Sequence, residues 1–142
     1  MPTRGSAAEV LVDTSVAVAL VLADHRHHEA THAAIGSRRA GLAGHAAFET
    51  FSVLTRLPAP ARRPPEVVAQ LLAESFPGTR FLSSDGAAAV LVELGRAGIG
   101  GGSIYDALVG AAAREHGMKL ATRDRRALVT YRALQIEVEL VS

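Results

Sequence analysis

Val10-Leu11-Val12-Asp13-Thr14-Ser15-Val16 is the stretch on which the fold turns. Three consecutive apolar residues, two of them β-branched, form a short run typical of a strand buried on both faces. The run stops on an aspartate followed by two hydroxyl residues, which can cap a helix over 16–22. A doubly buried strand that feeds straight into a helix belongs to a βαβ unit and hence to a parallel sheet. The alternation continues downstream. Leu42-Ala43 predicts a second strand, Arg80-Phe81-Leu82 a third, Met118 to Ala121 a fourth and Ile136 to Leu140 a fifth. Helices are predicted between them at 25–39, 46–57, 65–75, 85–96, 104–116 and 125–131, with prolines, glycines or capping residues at several of their ends. The expectation is an α/β fold: a three-layer α/β/α sandwich with a mainly parallel central sheet of about five strands. It should form one domain over residues 1–142, with 1–8 a loose leader.

Composition narrows the function. The chain is 142 residues long, 49% hydrophobic and 20% charged, which is globular composition and not that of a disordered segment. A formal net charge of +1 does not mark a nucleic-acid binder, so any attraction to phosphate must come from where the charges lie. The absence of cysteine excludes disulfides and thiolate metal sites. Four Phe, two Tyr and no Trp argue against a protein that grips single strands mainly by stacking bases. Asp13 interrupts the apolar stretch after Arg4 that would otherwise resemble a signal peptide. No segment approaches the roughly 18 apolar residues of a membrane span. A cytoplasmic protein without membrane attachment is expected.

In an open parallel sheet, chemistry gathers outside the C-terminal ends of the strands. Four acids fall on that rim. Asp13 follows the first strand, and Asp124 follows the fourth. Glu49 and Asp106 lie in the first turns of helices that start there. They are 36, 57 and 18 positions apart, so only the fold can bring them together. Crowded carboxylates repel, and a cation resolves the repulsion. Hard oxygen ligands without Cys or His select Mg²⁺ or Mn²⁺, which suits phosphoryl chemistry. Each acid also has a plainer role. Asp13 and Asp124 stand where helix caps stand, and Ser103-x-x-Asp106 matches a capping box. Glu49 shares a helical stripe with His45, Ser52 and Arg56 that reads equally well as a solvated face.

Three segments carry a family resemblance. Val12-Asp13-Thr14-Ser15-Val16 resembles the opening motif of PIN domains. Phe48-Glu49 with Val53-Leu54-Thr55-Arg56-Leu57 is similar to that family's central acidic helix. Ser103-Ile104-Tyr105-Asp106-Ala107-Leu108-Val109-Gly110, followed by Leu120-Ala121-Thr122-Arg123-Asp124, resembles its C-terminal half. The likeness runs from Val10 to Leu140, and by size is nearest to VapC-type toxins of bacterial toxin–antitoxin pairs. It implies a PIN-like fold and an endoribonuclease dependent on Mg²⁺, with Mn²⁺ able to substitute. It implies a cognate antitoxin, an RNA substrate, and assembly as a homodimer or toxin–antitoxin hetero-oligomer. Asp13, Glu49 and Asp106 match the family's main metal-binding acids, and Asp124 its more variable fourth. Thr14, Ser15 and Thr122 match polar positions lining the pocket.

Arg123 and Arg125 flank Asp124, and Arg56 shares the helical stripe of Glu49; all three are expected to meet RNA phosphates, since an acidic site alone repels RNA. His28 and His32 have the i, i+4 spacing of a zinc pair but lack a third strong ligand, so a titratable helix surface is expected. Gly98 to Gly102 lacks a preceding strand and a following Gly-Lys-Ser/Thr, and reads as a lead-in to a cap at Ser103 and not as a phosphate loop. Two rivals stand beside the nuclease. One is a catalytically inactive PIN-like module that binds RNA or protein. The other is a receiver-like domain phosphorylated on Asp13, against which Ser15 occupies the place of a second acid.

Overall fold

The computed structural model describes residues 9–142, and the expected leader at 1–8 lies outside them. Four strands form the sheet: β1 (Glu9–Val12), β2 (Arg39–Leu42), β3 (Leu120–Thr122) and β4 (Val138–Leu140). They run parallel in the order β2-β1-β3-β4. Among the described residues seven α-helices surround them: α1 (Thr14–Val21), α2 (His28–Ile35), α3 (Ala46–Thr55), α4 (Pro65–Ser75), α5 (Ser84–Ala97), α6 (Ser103–Glu115) and α7 (Leu128–Ala133).

The first strand behaves as its composition requires. Leu11 enters one apolar cluster with Val90 and Leu94 of α5, Val109 of α6 and Tyr131 of α7. Val10 and Val12, pointing the opposite way, enter a second cluster with Val16 of α1, Ile35 of α2, Leu54 of α3 and Val68 of α4. That alternation is the period-2 geometry of a strand covered on both faces. The three-layer α/β/α sandwich follows from it. From β1 the chain first moves to β2 on one side, then returns to β3 on the other. The crevice between β1 and β3 is therefore a topological switch point, where such sheets bind ligands.

Among the described residues the sheet has four strands, not about five. The expected third strand shrinks to a single parallel bridge between Arg80 and Ala43. Arg80 N–H donates to Leu42 O, and Gly44 N–H donates to Arg80 O. Leu42 N–H, however, is taken by the Thr79 hydroxyl at 3.0 Å and not by a backbone carbonyl. Three residues past Arg80, Ser83 caps α5 by accepting from Gly86 N–H. One end of the would-be strand pairs through a side chain and the other turns into a helix. The approach needs glycine: a Cβ on Gly41 would sit 2.1 Å from the Gly78 carbonyl carbon and oxygen. Among the described residues no helix is long and apolar enough to cross a membrane.

Candidate active site

Asp13 leaves the end of β1 only 5% exposed, with four donors converging on its carboxylate. Oδ1 accepts from the Ser15 hydroxyl at 2.6 Å and from Val16 N–H at 3.3 Å, the latter capping α1. Oδ2 accepts from Tyr131 OH at 2.9 Å and from the Thr122 hydroxyl. An ionised carboxylate offers about four lone-pair sites, so this shell is full. Burial nevertheless outweighs the donors and pushes the Asp13 carboxyl above its ordinary range.

The hydroxyls do double duty. Ser15 Oγ also accepts from Arg123 N–H at 2.8 Å, and Thr122 Oγ1 accepts from Asp124 N–H at 3.0 Å. The ends of β1 and β3 are thereby laced together across the switch point. Thr14 faces the other way, in loose contact with Ala46 O and Thr50 on α3 at 3.5 and 3.4 Å.

Glu49 and Asp106 have a different environment. Both are half-buried in the first turns of α3 and α6, and among the described residues neither carboxylate accepts a hydrogen bond. The expected capping box does not form, since Gly102 is the residue before α6 and no side chain caps it. Asp106 is therefore not held as a cap. Burial raises the Glu49 carboxyl; the neighbouring His45 lowers it, and the charges of Asp106 and Asp13 raise it. Burial also raises Asp106, followed by the charges of Asp124 and Asp13, while Arg126 lowers it. The acids thus feel one another across the rim. Asp124 does serve as a cap, accepting from Arg126 N–H at 2.9 Å, with Arg126 Nε 3.7 Å from the same carboxylate oxygen.

The donor chemistry fits a hard divalent cation. Two half-buried carboxylates without protein donors, repelled by two further acids, are groups a cation satisfies. Among the described residues no three Asp, Glu, His or Cys side chains are arranged to hold an ion by themselves. A cation here would keep several waters, as Mg²⁺ commonly does. His28 of α2 is engaged elsewhere. His28 Nδ1 bonds the Ala19 carbonyl at 2.8 Å, which clasps α2 to α1.

Of the expected cations, Arg56 lines an open groove with Glu49, Thr14 and His45. Arg123 has a buried Nε without a partner. Arg125 is exposed, and Arg126 is the arginine set beside Asp106 and Asp124. Sequence reasoning also missed Tyr131. Its hydroxyl reaches Asp13 from 118 positions away, so no local pattern announces it.

Fold and rim together define a class: a parallel α/β/α sandwich with an all-oxygen acidic pocket at its switch point. Within that class the chain belongs to the PIN domain family, whose profile matches residues 10–133. It is 46% identical over 127 residues to "Ribonuclease VapC27" of Mycobacterium tuberculosis (strain ATCC 25618 / H37Rv), covering 89% of this chain and 93% of that protein. It is 45% identical over 132 residues to "Ribonuclease VapC40" of the same strain, covering 92% and 97%. The DNA-bound VapBC structure from Salmonella typhimurium shares the fold, with a TM-score of 0.66 at 17% identity over 95% of this chain and 99% of that one.

Proposed function

We propose that this protein is a metal-dependent endoribonuclease, the toxin of a toxin–antitoxin pair. One observation carries the reading: Glu49 and Asp106 stand half-buried and undonated at the switch point, coupled by charge to Asp13. The VapC ribonuclease relatives support RNA as substrate, and the fold shared with a VapBC complex supports an antitoxin as partner. A homodimer or a toxin–antitoxin hetero-oligomer is the assembly that this family suggests. A cytoplasmic site of action fits both substrate and partner.

Glu49, Asp106 and Asp13 would hold Mg²⁺, or Mn²⁺ in its place, with Asp124 positioning water beside them. Such an ion supplies a water of lowered pKa and neutralises charge on the phosphate. The chain supplies the rest. Ser15, Thr122 and Tyr131 fix the Asp13 carboxylate, and any lone pair it gave to a cation would be one that a donor now occupies. Arg126 and Arg123 offset the acidic field that would otherwise repel a polyanion.

The test is cleavage of RNA by the purified chain with Mg²⁺ or Mn²⁺, and its loss in chelator. Glu49→Gln and Asp106→Asn should each lower cleavage by more than about 100-fold. They should also shrink the metal-induced rise in thermal midpoint, which for the unaltered chain corresponds to about 2.7 kcal/mol at 100 times Kd. Expression alone should arrest growth, and Asp13→Ala should relieve the arrest. Cleavage that survives chelation, or either substitution, refutes the reading. RNA binding without cleavage points to the inactive module.

A further inference from the structure

Arg123 leaves the end of β3 with its backbone N–H held by Ser15 Oγ at 2.8 Å. Its side chain is not held. Among the described residues the guanidinium makes no hydrogen bond and no ion pair, although Nε is buried. Arg38 and Arg114 show the contrast, each gripping a carboxylate through two bonds, Arg38 on Glu139 and Arg114 on Glu93. A guanidinium carries five N–H donors and keeps its charge at every pH the protein meets. Leaving a buried donor of this kind unpaired costs stability, which an arriving anion restores.

The charge of Arg123 falls on the loop between α1 and α2. Burial holds the His27 imidazole below its ordinary range, and the charges of Arg123, Arg26 and His25 push it the same way. His27 is therefore neutral at pH 7 while no anion is bound. The loop itself is tied down. His25 N–H donates to Leu22 O and His28 N–H to His25 O, each at 2.9 Å. His27 N–H donates to His25 Nδ1 at 3.1 Å, and the two rings lie 5.8 Å apart. Arg26 is exposed, as are the neighbouring acids Asp24 and Glu29. Among the described residues neither acid pairs with these cations. A positive cluster without a counter-ion thus flanks the switch point.

We infer that Arg123 and His27 form a subsite for an RNA phosphate that flanks the scissile one, so that the strand leaves the acidic rim over the α1–α2 loop. The inference rests on the nuclease reading above and adds the direction in which the substrate backbone runs. Ser15 Oγ joins Arg123 N–H to Asp13 Oδ1, so the guanidinium stands one arginine side chain from the carboxylates. That is the scale of the step from one phosphate to the next. The planar fork takes two phosphate oxygens at once, a fit an ammonium lacks. His27 adds what a fixed charge does not, taking up a proton when the phosphate docks and returning it on release. An acidic protein segment would also neutralise Arg123. A flanking phosphate, however, is tethered to the one at Glu49 and Asp106 and arrives at the high effective concentration of a linked group.

Binding of an unstructured oligoribonucleotide of about 12 nucleotides is measured in chelator, so that nothing is cut. Arg123→Met should weaken it by about 10-fold or more and lower the slope of log Kd against log salt by about 0.7, the share of one phosphate. Without RNA its thermal midpoint should match or exceed that of the unaltered chain, because an unpaired charge has given way to an apolar side chain. A guanidinium that served the fold would show the reverse. His27→Gln should weaken binding up to about 5-fold near pH 6 and hardly at all near pH 8, since only the protonated ring adds charge. The rim carboxylates titrate alike in both chains, so the difference between them isolates His27. In the unaltered chain the His27 ring resonances should move toward the protonated form as RNA is added.

Unchanged RNA affinity and salt slope in Arg123→Met overturn the inference, and a lowered midpoint in that variant assigns the guanidinium to the fold and overturns it too. Orthophosphate that moves the His27 resonances where RNA does not assigns the cluster to a free anion. An oligoglutamate peptide whose binding falls in Arg123→Met while RNA binding holds assigns it to an acidic protein segment. Either result sinks the subsite. In all these cases metal-dependent cleavage by the unaltered chain leaves the nuclease reading standing. If the unaltered chain with Mg²⁺ neither binds nor cuts RNA, that reading fails first and takes the subsite with it.

Discussion

Removing a single oxygen from Tyr131 tests whether the buried shell around Asp13 is what organises the site. The ring is 1% exposed and lies close to α6, where a Cβ on Gly110 would come within 3.1 Å of Tyr131 Cδ1. Tyr131→Phe keeps that packing and deletes only the donor to Asp13 Oδ2. Burial and the Asp13 charge both push the Tyr131 hydroxyl above its ordinary pKa, so it is a protonated donor throughout the neutral range. A hydrogen bond to a charged group is worth about 1.5–3 kcal/mol. Thr122 still donates to Oδ2, which favours the lower half of that range. In a chain of this size the loss corresponds to a thermal midpoint lower by roughly 4–9 °C. Urea denaturation of Tyr131→Phe, Asp13→Asn and the double variant closes a cycle. With a neutral amide at position 13, deleting the hydroxyl should cost only about 0.5–1.5 kcal/mol, leaving a coupling near 1 kcal/mol. Equal cost in both backgrounds, or no cost in the unaltered chain, would show that the hydroxyl does not serve the Asp13 charge.

Two further predictions concern the scaffold. Hydrogen bonds from Arg38 at 2.7 and 2.9 Å hold the Glu139 carboxyl below its ordinary range. A depressed folded pKa contributes stability that is present above the unfolded value, about 4.5, and lost as pH falls through the folded one. The pair is partly exposed, so Glu139→Gln should cost about 1 kcal/mol or less at pH 7 and almost nothing near pH 3. Urea midpoints that fall equally at both pH values would refute this. Gly41→Ala forces a Cβ to 2.1 Å from the Gly78 backbone, which cannot step aside as a side chain could. It should destabilise by about 3 kcal/mol or more, read as a lowered urea midpoint, whereas a midpoint within about 0.5 kcal/mol of the unaltered chain refutes the close approach.

The fold was legible wherever hydrophobic runs decide it. Val10 to Val12 announced a doubly buried strand, and the small-residue helix from Ser103 to Glu115 was bounded within one residue. Where the sequence misled, a contact made only in the folded chain or a neighbouring cap was responsible. Arg39-Ala40-Gly41 does not read as a strand, yet β2 begins at Arg39, because its burial depends on Gly41 lying against Gly78. Arg80-Phe81-Leu82 does read as one and fails, because Thr79 takes the ladder bond and Ser83 starts a helix. His28 and His32 have metal spacing, but the His28 ring is engaged by a carbonyl of the previous helix.

The acids were ambiguous in sequence for a reason the structure exposes. Asp13 and Asp124 really are caps, and a cap at the end of a parallel strand is also a group at the functional rim, so the two roles coincide. Glu49 and Asp106 are the discriminating pair, because a structural carboxylate in a half-buried place finds a donor and these do not. Tyr131 and Arg126 could not be ranked in advance, since each acquires its role only when the chain closes on itself.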